Sequence, residues 1–260
     1  MIQSNEFAGK IVLVTGASQG IGLEICKQFS DLGATVLSVA RNKEKLETAK
    51  NTIKNNSNVY TYPCDLSVES EIEKLFHEIK EKFRKVDILV NNLGAYSDKV
   101  EWNEIDYDLW IKTFETNVLS AYFCMVKAAE IMVENKTKGV IINIGSSSAL
   151  QVKKGRLHYT VTKSSLHTLS RVAAMDLAKH QIRVNVVSPG PTATEIVQER
   201  MQDPEQRAQE EARLKKIPLG RYASTVDIAN AVVFLSSSMG EFITGTILPV
   251  DGGYTIGETV

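Results

Sequence analysis

Tyr159 and Lys163 stand four residues apart, and a serine cluster, Ser146, Ser147 and Ser148, lies 13 to 11 residues ahead of the tyrosine. On a helix, positions i and i+4 share one face, so this phenol and ammonium point into one cavity. A tyrosine hydroxyl has a reference pKa of about 10, too high for ready proton exchange at neutral pH. A fixed positive charge nearby favours the phenolate and lowers that value. A shift of about 3 units needs roughly 4 kcal/mol of differential stabilisation, within reach of one close ammonium aided by a helix-end field. Serine, tyrosine and lysine together read as proton-transfer machinery. Taken alone, the Tyr–Lys spacing is weak, because a surface pair has it too.

A second signal stands near the N-terminus. Residues 11–15, Ile-Val-Leu-Val-Thr, form a short apolar run of the kind found in buried parallel strands. The run leads into Gly16, Ser18, Gln19, Gly20, Ile21 and Gly22, and then into a segment of helical spacing, Leu23 to Phe29. Strand, glycine turn and helix are the context of a dinucleotide fingerprint. Glycines let backbone approach a diphosphate, and the helix start offers free N–H groups and the positive end of its dipole. The spacing is GxxxGxG, with Thr15 in front.

Elements to position these residues follow along the chain. Apolar strand-like runs recur at 35–40, 59–62, 88–90, 140–144, 183–187 and 246–250. Between them lie helical stripes such as Ile72, Leu75, Phe76, Ile79 and Phe83. Leu166, Leu169, Val172, Ala173 and Leu177 form another on the Tyr–Lys helix. Such alternation implies an α/β fold, a doubly wound parallel sheet with right-handed crossovers. No repeat or proline-rich linker marks a boundary, so one domain over 1–260 is expected. The segment 195–216 is charge-dense and broken by Pro204 and Pro218. It reads as a mobile helical lid within 191–216, with Ile196, Val197, Met201 and Leu214 facing a pocket.

These motifs, in this order, resemble the short-chain dehydrogenases/reductases over essentially the whole chain. Thr15, Gly16, Gly20 and Gly22 look like that family's cofactor loop, and Cys64-Asp65-Leu66 like its adenine-contacting segment. Asn91, Asn92, Leu93 and Gly94 are similar to its NNAG turn, with Leu93 replacing the usual alanine. Asn117, Ser146, Tyr159 and Lys163 are similar to its catalytic tetrad. Ser188, Pro189, Gly190, Thr192 and Thr194 resemble its nicotinamide-side loop, and Asp251, Gly252 and Gly253 its C-terminal signature. The resemblance implies a seven-stranded Rossmann sheet of order 3-2-1-4-5-6-7 with helices on both faces. It also implies that Tyr159 and Lys163 touch the cofactor and that Asn117 holds a water linking Lys163 to solvent. Within the family the pattern is nearest the NADP-preferring carbonyl reductases, similar to 3-oxoacyl-carrier-protein and tropinone reductases.

The choice of dinucleotide turns on the end of the second strand. An acidic residue there, about 20 residues past the glycines, would bind the ribose 2′-hydroxyl of NAD. Arg41 and Asn42 stand there instead, with no carboxylate before Glu44. A guanidinium offers a planar fork of donors to a 2′-phosphate. NADP(H) is expected over NAD(H), although Gln19 stands where such members often carry a second cation.

Composition excludes other classes. A net charge of −1 and a pI near 6.5 argue against nucleic acid or a membrane surface as partner. No apolar run approaches a membrane span of roughly 20 residues, and the N-terminus lacks a signal-peptide pattern. Cys26, Cys64 and Cys124 are isolated, which suits a reducing cytoplasm and packing in place of a metal site or disulfides. His158 and His180 read as packing and helix-end residues, Trp102 and Trp110 as packing or subunit-contact residues.

The leading expectation is hydride transfer between nicotinamide and a small ketone or secondary alcohol. A catalytically inactive dinucleotide-binding sensor or scaffold is the alternative; a dehydratase or epimerase on the same fold is a third. Substrate shape falls to Tyr96, Ser148 and Ile196 with their neighbours. Lys153, Lys154 and Arg156 either greet an acidic substrate or carrier or form a solvated turn. The resemblance implies a homotetramer, or at least a dimer; apolar circumference on 119–126 and 169–177 supports assembly, with the tail Asp251-Gly-Gly-Tyr254 reaching a second subunit contact.

Overall fold

The computed structural model describes residues 5–95 and 99–257, with backbone alone at Ile196, Gln198 and Glu205. Seven strands form one parallel sheet: β1 Ile11–Thr15, β2 Thr35–Ala40, β3 Val59–Pro63, β4 Ile88–Asn91, β5 Val140–Ile144, β6 Arg183–Pro189 and β7 Ile247–Val250. Their order is β3-β2-β1-β4-β5-β6-β7, as expected. Strands β4 and β6 run on to Asn91 and Pro189, beyond their apolar runs. The Asn91 side chain finds partners at the sheet's carboxyl edge, and on β6 Ser188 and Pro189 continue the pairing with β7.

Around the sheet lie α1 Gly20–Asp31, α2 Lys43–Asn51, α3 Glu69–Phe83, α4 Tyr107–Phe114, α5 Ser120–Glu134, α6 Leu157–Leu177, α7 Glu195–Arg200, α8 Pro204–Leu214 and α9 Thr225–Ser236. Successive strand residues point to opposite faces. Leu13, Leu37 and Val39 pack with Ile72 and Ile79 of α3, Met125 of α5 and Ala173 of α6. Val12, Val14 and Val36 pack with Ile25 and Phe29 of α1 and Ile228 and Val232 of α9. All five residues of β1 are buried, which is why that strand is apolar on both faces. Each fully buried large apolar side chain contributes roughly 1.5–3 kcal/mol of transfer free energy.

Strand β1 pairs with β2 on one side and β4 on the other, Val12 lying opposite both Val36 and Ile88. The chain order reverses between β1 and β4, which opens a crevice at their carboxyl ends. Beneath that crevice, Asn91 Nδ2 donates to the Ala121 carbonyl at 3.1 Å and to Asn143 Oδ1 at 2.9 Å. Asn143 Nδ2 donates in turn to Ser170 Oγ at 2.8 Å. This buried chain of amides ties β4, β5, α5 and α6 together.

Between α4 and α5 the backbone makes a π turn, Glu115–Leu119. It fuses the two helices into one run, Tyr107–Glu134, long and apolar enough by length and composition to cross a bilayer. That departs from the sequence expectation. However, the run is a core helix here: α5 packs on α3, β4 and α6, and 56% of its most apolar window is buried.

The charge-dense segment 195–216 forms α7 and α8. Asp203 caps α8, its carboxylate accepting from the Gln206 N–H at 2.9 Å, with Pro204 as the first helical residue. On α6 the expected stripe is partly displaced: Leu166 and Ala173 are buried, but Val172 is exposed.

Candidate functional site

The first turn is built by mutual hydrogen bonding. Thr15 Oγ1 accepts from the Asn92 and Leu93 N–H groups, both at 3.0 Å. Asn92 Nδ2 donates to the Thr15 and Gly16 carbonyls, again at 3.0 Å. Gly16 has φ +63°, and a Cβ on Gly22 would lie 2.3 Å from the Gly16 carbonyl oxygen. Only glycine lets the turn close this tightly at those two positions. Helix α1 then begins at Gly20 with no side-chain cap, so its first N–H groups remain open toward the crevice.

A cleft of about 380 Å³ follows this turn, lined by Gly16, Ser18, Gln19, Gly20, Ile21, Arg41, Asn42, Leu66, Asn92, Leu93, Gly94 and Thr194. Lys45 lines it too, a cation that the sequence reading missed. It follows Arg41 by four residues, and Asn42 caps α2 by accepting the Lys45 N–H at 2.9 Å, which turns that first helical turn toward the cleft. A second cation, absent at Gln19, thus lines the cleft from α2. Asp65 lies in the adjoining hollow, 4.0 Å from Arg41. Desolvation raises the Asp65 pKa, but hydrogen bonds from Ser67 and the nearby Arg41 outweigh it and hold the carboxyl below its ordinary value. Glu195 is a further cleft residue, its carboxylate 3.5 Å from where a Cβ on Gly20 would stand. The cleft fits a dinucleotide: open helix N–H groups beside φ-positive glycines at one point, two cations at the other.

Beyond Ile21 and Asn92 opens a second cavity of about 290 Å³, lined by Ser146, Ser147, Ser148, Tyr159, Lys163, Pro189, Gly190 and Thr192, among others. Ser146 Oγ accepts the Ser148 N–H at 3.1 Å, which leaves its own hydroxyl hydrogen to donate elsewhere. Tyr159 and Lys163, one turn apart on α6, both face this cavity. Lys163 is 3% exposed, and its ammonium donates to the Ile144 carbonyl at 3.0 Å. Burial pushes the Lys163 pKa down to about 8.

Asn117 lies in the π turn, wholly buried. Its Oδ1 accepts the Ala95 N–H at 2.7 Å, and its Nδ2 donates to Thr162 Oγ1 at 3.0 Å. The side chain thus clamps the loop after β4 to α6, next to Lys163. A Cβ on Gly94 would lie 3.1 Å from Lys163 Nζ and 3.4 Å from Asn117 Oδ1, so Asn117, Lys163 and Gly94 converge.

The far loop is braced by the C-terminus. A Cβ on Gly190 would meet Asp251 Cα at 2.6 Å. The Asp251 carboxylate in turn accepts from the Gly253 and Thr255 N–H groups, both at 3.0 Å. Tyr254, in the tail expected at a subunit contact, has its side chain buried within the chain, with Lys153 Nζ 4.2 Å above its ring. Lys153 and Arg156 line the second cavity, while Lys154 is exposed.

The lid contributes differently from expectation. Val197 lines the cavity, but Met201 and Leu214 line a neighbouring apolar hollow. Arg200 and Arg213 reach the cavity in their stead. Helices α7 and α8 pack on one another. Tyr96 lies outside the described residues, and so does the Ile196 side chain. His158 is buried and does not line the cavity; burial and then Arg156 hold its pKa below the ordinary value. His180 and Trp102 are exposed, and Trp110 is half-buried. The three cysteines are free and buried, and burial, aided by Glu71 and Asp65, pushes the Cys64 thiol up to about 12.

The family model described as enoyl-(acyl carrier protein) reductase matches residues 16–255. An L-rhamnose-1-dehydrogenase of Scheffersomyces stipitis is 35% identical over 250 residues, covering 94% of this chain and 95% of that one. A 3-oxoacyl-[acyl-carrier-protein] reductase of Escherichia coli is 35% identical over 254 residues, covering 95% and 98%. A short-chain type dehydrogenase/reductase from Mycobacterium ulcerans superposes with a TM-score of 0.90 at 27% identity, covering 97% of this chain and 92% of that one.

Proposed function

The chain belongs to the short-chain dehydrogenase/reductase family and is an NAD(P)-dependent oxidoreductase acting on alcohols and carbonyls; on that premise we propose that it is an NADP(H)-dependent reductase of small ketones, with Tyr159 as its proton donor. The observation that carries this reading is the convergence of Ser146, Tyr159 and Lys163 on one cavity next to the cleft that holds Arg41 and Lys45. A bound dinucleotide supplies the hydride. The residues of the chain do the rest. Ser146 and Tyr159 donate hydrogen bonds to the substrate oxygen, where negative charge develops. Tyr159 delivers its proton to that oxygen. The Lys163 ammonium favours the resulting phenolate, and its effect is strengthened because that group is buried. Asn117 holds the loop at Gly94 against α6, and its second Oδ1 lone pair is the acceptor for a water that resupplies the proton.

Arg41 and Lys45 are assigned to the 2′-phosphate, with Asn42 ordering the turn between them. Asp65 and Leu66 flank the adenine, and Pro189, Gly190, Thr192 and Thr194 the nicotinamide side. Ser148 and the segment 191–216 shape the substrate end of a single catalytic unit. Retention of all four tetrad residues runs against an inactive sensor. We further assign the chain to the cytoplasm, where its buried thiols stay reduced, and to a homotetramer. The apolar residues exposed on the outer faces of α5 and α6 support that assembly: Leu119, beside the start of α5, with Tyr122, Val161, Val172 and Met175. Ala173 and Ala174, in the same 169–177 stretch, are buried in the core.

The test is cofactor oxidation across ketones and acyl thioesters with NADPH and NADH, and cofactor reduction across secondary alcohols and sugars. NADPH-dependent turnover of a ketone is expected. Strong preference for NADH, or no turnover with any carbonyl, contradicts the proposal.

A further inference from the structure

Resting on the carbonyl chemistry proposed above, we infer that the substrate carries an anionic group, a carboxylate or phosphate, held by Lys153, Arg156, Arg200 and Arg213. These four cations come from three separate segments: the turn before α6, helix α7 and helix α8. All four line the cavity that holds Ser146 and Tyr159, and no carboxylate is among its described lining residues. Sequence offered a solvated turn as the simpler fate of residues 153–156. The chain instead sends Lys154 to solvent and turns Lys153 and Arg156 inward, Arg156 to 5% exposure.

Bringing like charges together out of water is costly unless something negative joins them. Glu210 is one such group, 2.9 Å from Arg213 and 3.7 Å from Arg200, and is itself held by the Tyr222 hydroxyl at 2.6 Å. It lines the neighbouring hollow, not the cavity, so it orients the two guanidinium groups from behind. Tyr254 does the same for Lys153 from below, with its ring 4.2 Å under the ammonium. Burial, followed by the fields of Arg213, Arg156 and Lys216, lowers the Lys153 pKa to about 8, which reports how densely positive charge gathers there.

The cofactor's phosphates do not explain the cluster. None of the four cations lines the dinucleotide cleft, whose own cations are Arg41 and Lys45. A neutral ketone would bring these donors no anion. An oxo-acid or a phosphorylated ketone would place its anion among forked donors while its carbonyl reached Ser146 and Tyr159.

The test compares matched substrates at saturating NADPH. The pairs are 3-oxobutanoate and 4-oxopentanoate against their methyl esters, and dihydroxyacetone phosphate against dihydroxyacetone. At least one anionic member is expected to exceed its neutral partner roughly tenfold or more in kcat/KM, as one charge-assisted contact would give. Which pair responds tells a carboxylate from a phosphate. Lys153→Gln and Arg213→Gln should each lower the anionic-to-neutral ratio by about fivefold or more, a readout that general damage to the lid would leave alone. Equal or better turnover of every neutral member, or an unchanged ratio in both variants, overturns the inference. If no carbonyl turns over at all, the reductase reading itself fails. Calorimetry on the NADPH-bound protein then still reads the anion site: glutarate should bind, glutaramide should not, and Lys153→Gln should weaken glutarate. Equal binding of the two, or none of either, overturns it.

Discussion

The Lys163 ammonium donates to the Ile144 carbonyl at 3.0 Å, fastening the cation of α6 to the last residue of β5. Gly145 follows at once, and a Cβ there would lie 2.2 Å from His167 Nε2. The helix can therefore press against the strand end only because that position has no side chain. Ser146 comes next in the chain. Serine and lysine are thus placed by one short stretch of backbone, and Tyr159 is placed by the turn of helix ahead of the lysine.

Gly22→Ala should damage both stability and cofactor binding. The new methyl would sit 2.3 Å from the Gly16 carbonyl oxygen and 2.5 Å from Asn92 Nδ2, so backbone must move. A loss of about 1–3 kcal/mol in urea unfolding is expected, together with weaker NADPH binding. Unchanged stability would mean that the turn is looser than this packing implies.

Arg41→Asp should turn preference from NADPH toward NADH, by removing a phosphate partner and setting a carboxylate near the ribose hydroxyl. Lys45 remains in the cleft, so a residual NADPH activity should survive, and the double variant with Lys45→Ala should remove most of it. The ratio of kcat/KM for the two cofactors measures both effects. A wild-type protein that already prefers NADH contradicts the assignment.

Glu195→Gln should tighten NADPH binding. The carboxylate stands beside Gly20 at the start of α1, where a diphosphate would meet like charge. Two unit charges about 4 Å apart in a watery site repel by about 1 kcal/mol, or roughly fivefold in Kd. Titration of NADPH fluorescence at low and high salt checks it, the gain shrinking as salt screens the pair. An unchanged or weaker Kd at low salt counts against a like-charge contact.

Residues whose roles are local were legible in the sequence. β1 and its glycine turn are contiguous, and Tyr159 with Lys163 needs only the period of a helix. The parallel, doubly wound class followed from the alternation of elements, and the strand order from the resemblance. The cavity wall was not legible. Which charges of 195–216 face inward depends on how α7 and α8 lean on one another, and both apolar and charged residues there lack a clean stripe. Met201 and Leu214 went to a neighbouring hollow, Arg200 and Arg213 to the cavity. Tyr254 and Lys153 meet across about a hundred residues of chain, a contact that no local pattern announces.

Val172→Glu with Met175→Glu should break the assembly proposed for α5 and α6. Both side chains are exposed, 52% and 81%, so the changes cost the isolated chain little but place charge in an apolar contact. Light scattering at micromolar concentration should show the wild type well above 28.8 kDa and the variant reduced. A wild type at the chain mass would rule the oligomer out.

Proton donation by Tyr159 is the centre of the account, and Tyr159→Phe tests it most directly. The variant keeps the ring on α6 and removes only the hydroxyl. NADPH oxidation with a ketone that the wild type reduces should fall by about 10² to 10⁴, while NADPH affinity by fluorescence titration stays near the wild-type value. A variant that retains more than about a tenth of wild-type turnover would contradict the role of Tyr159 as proton donor.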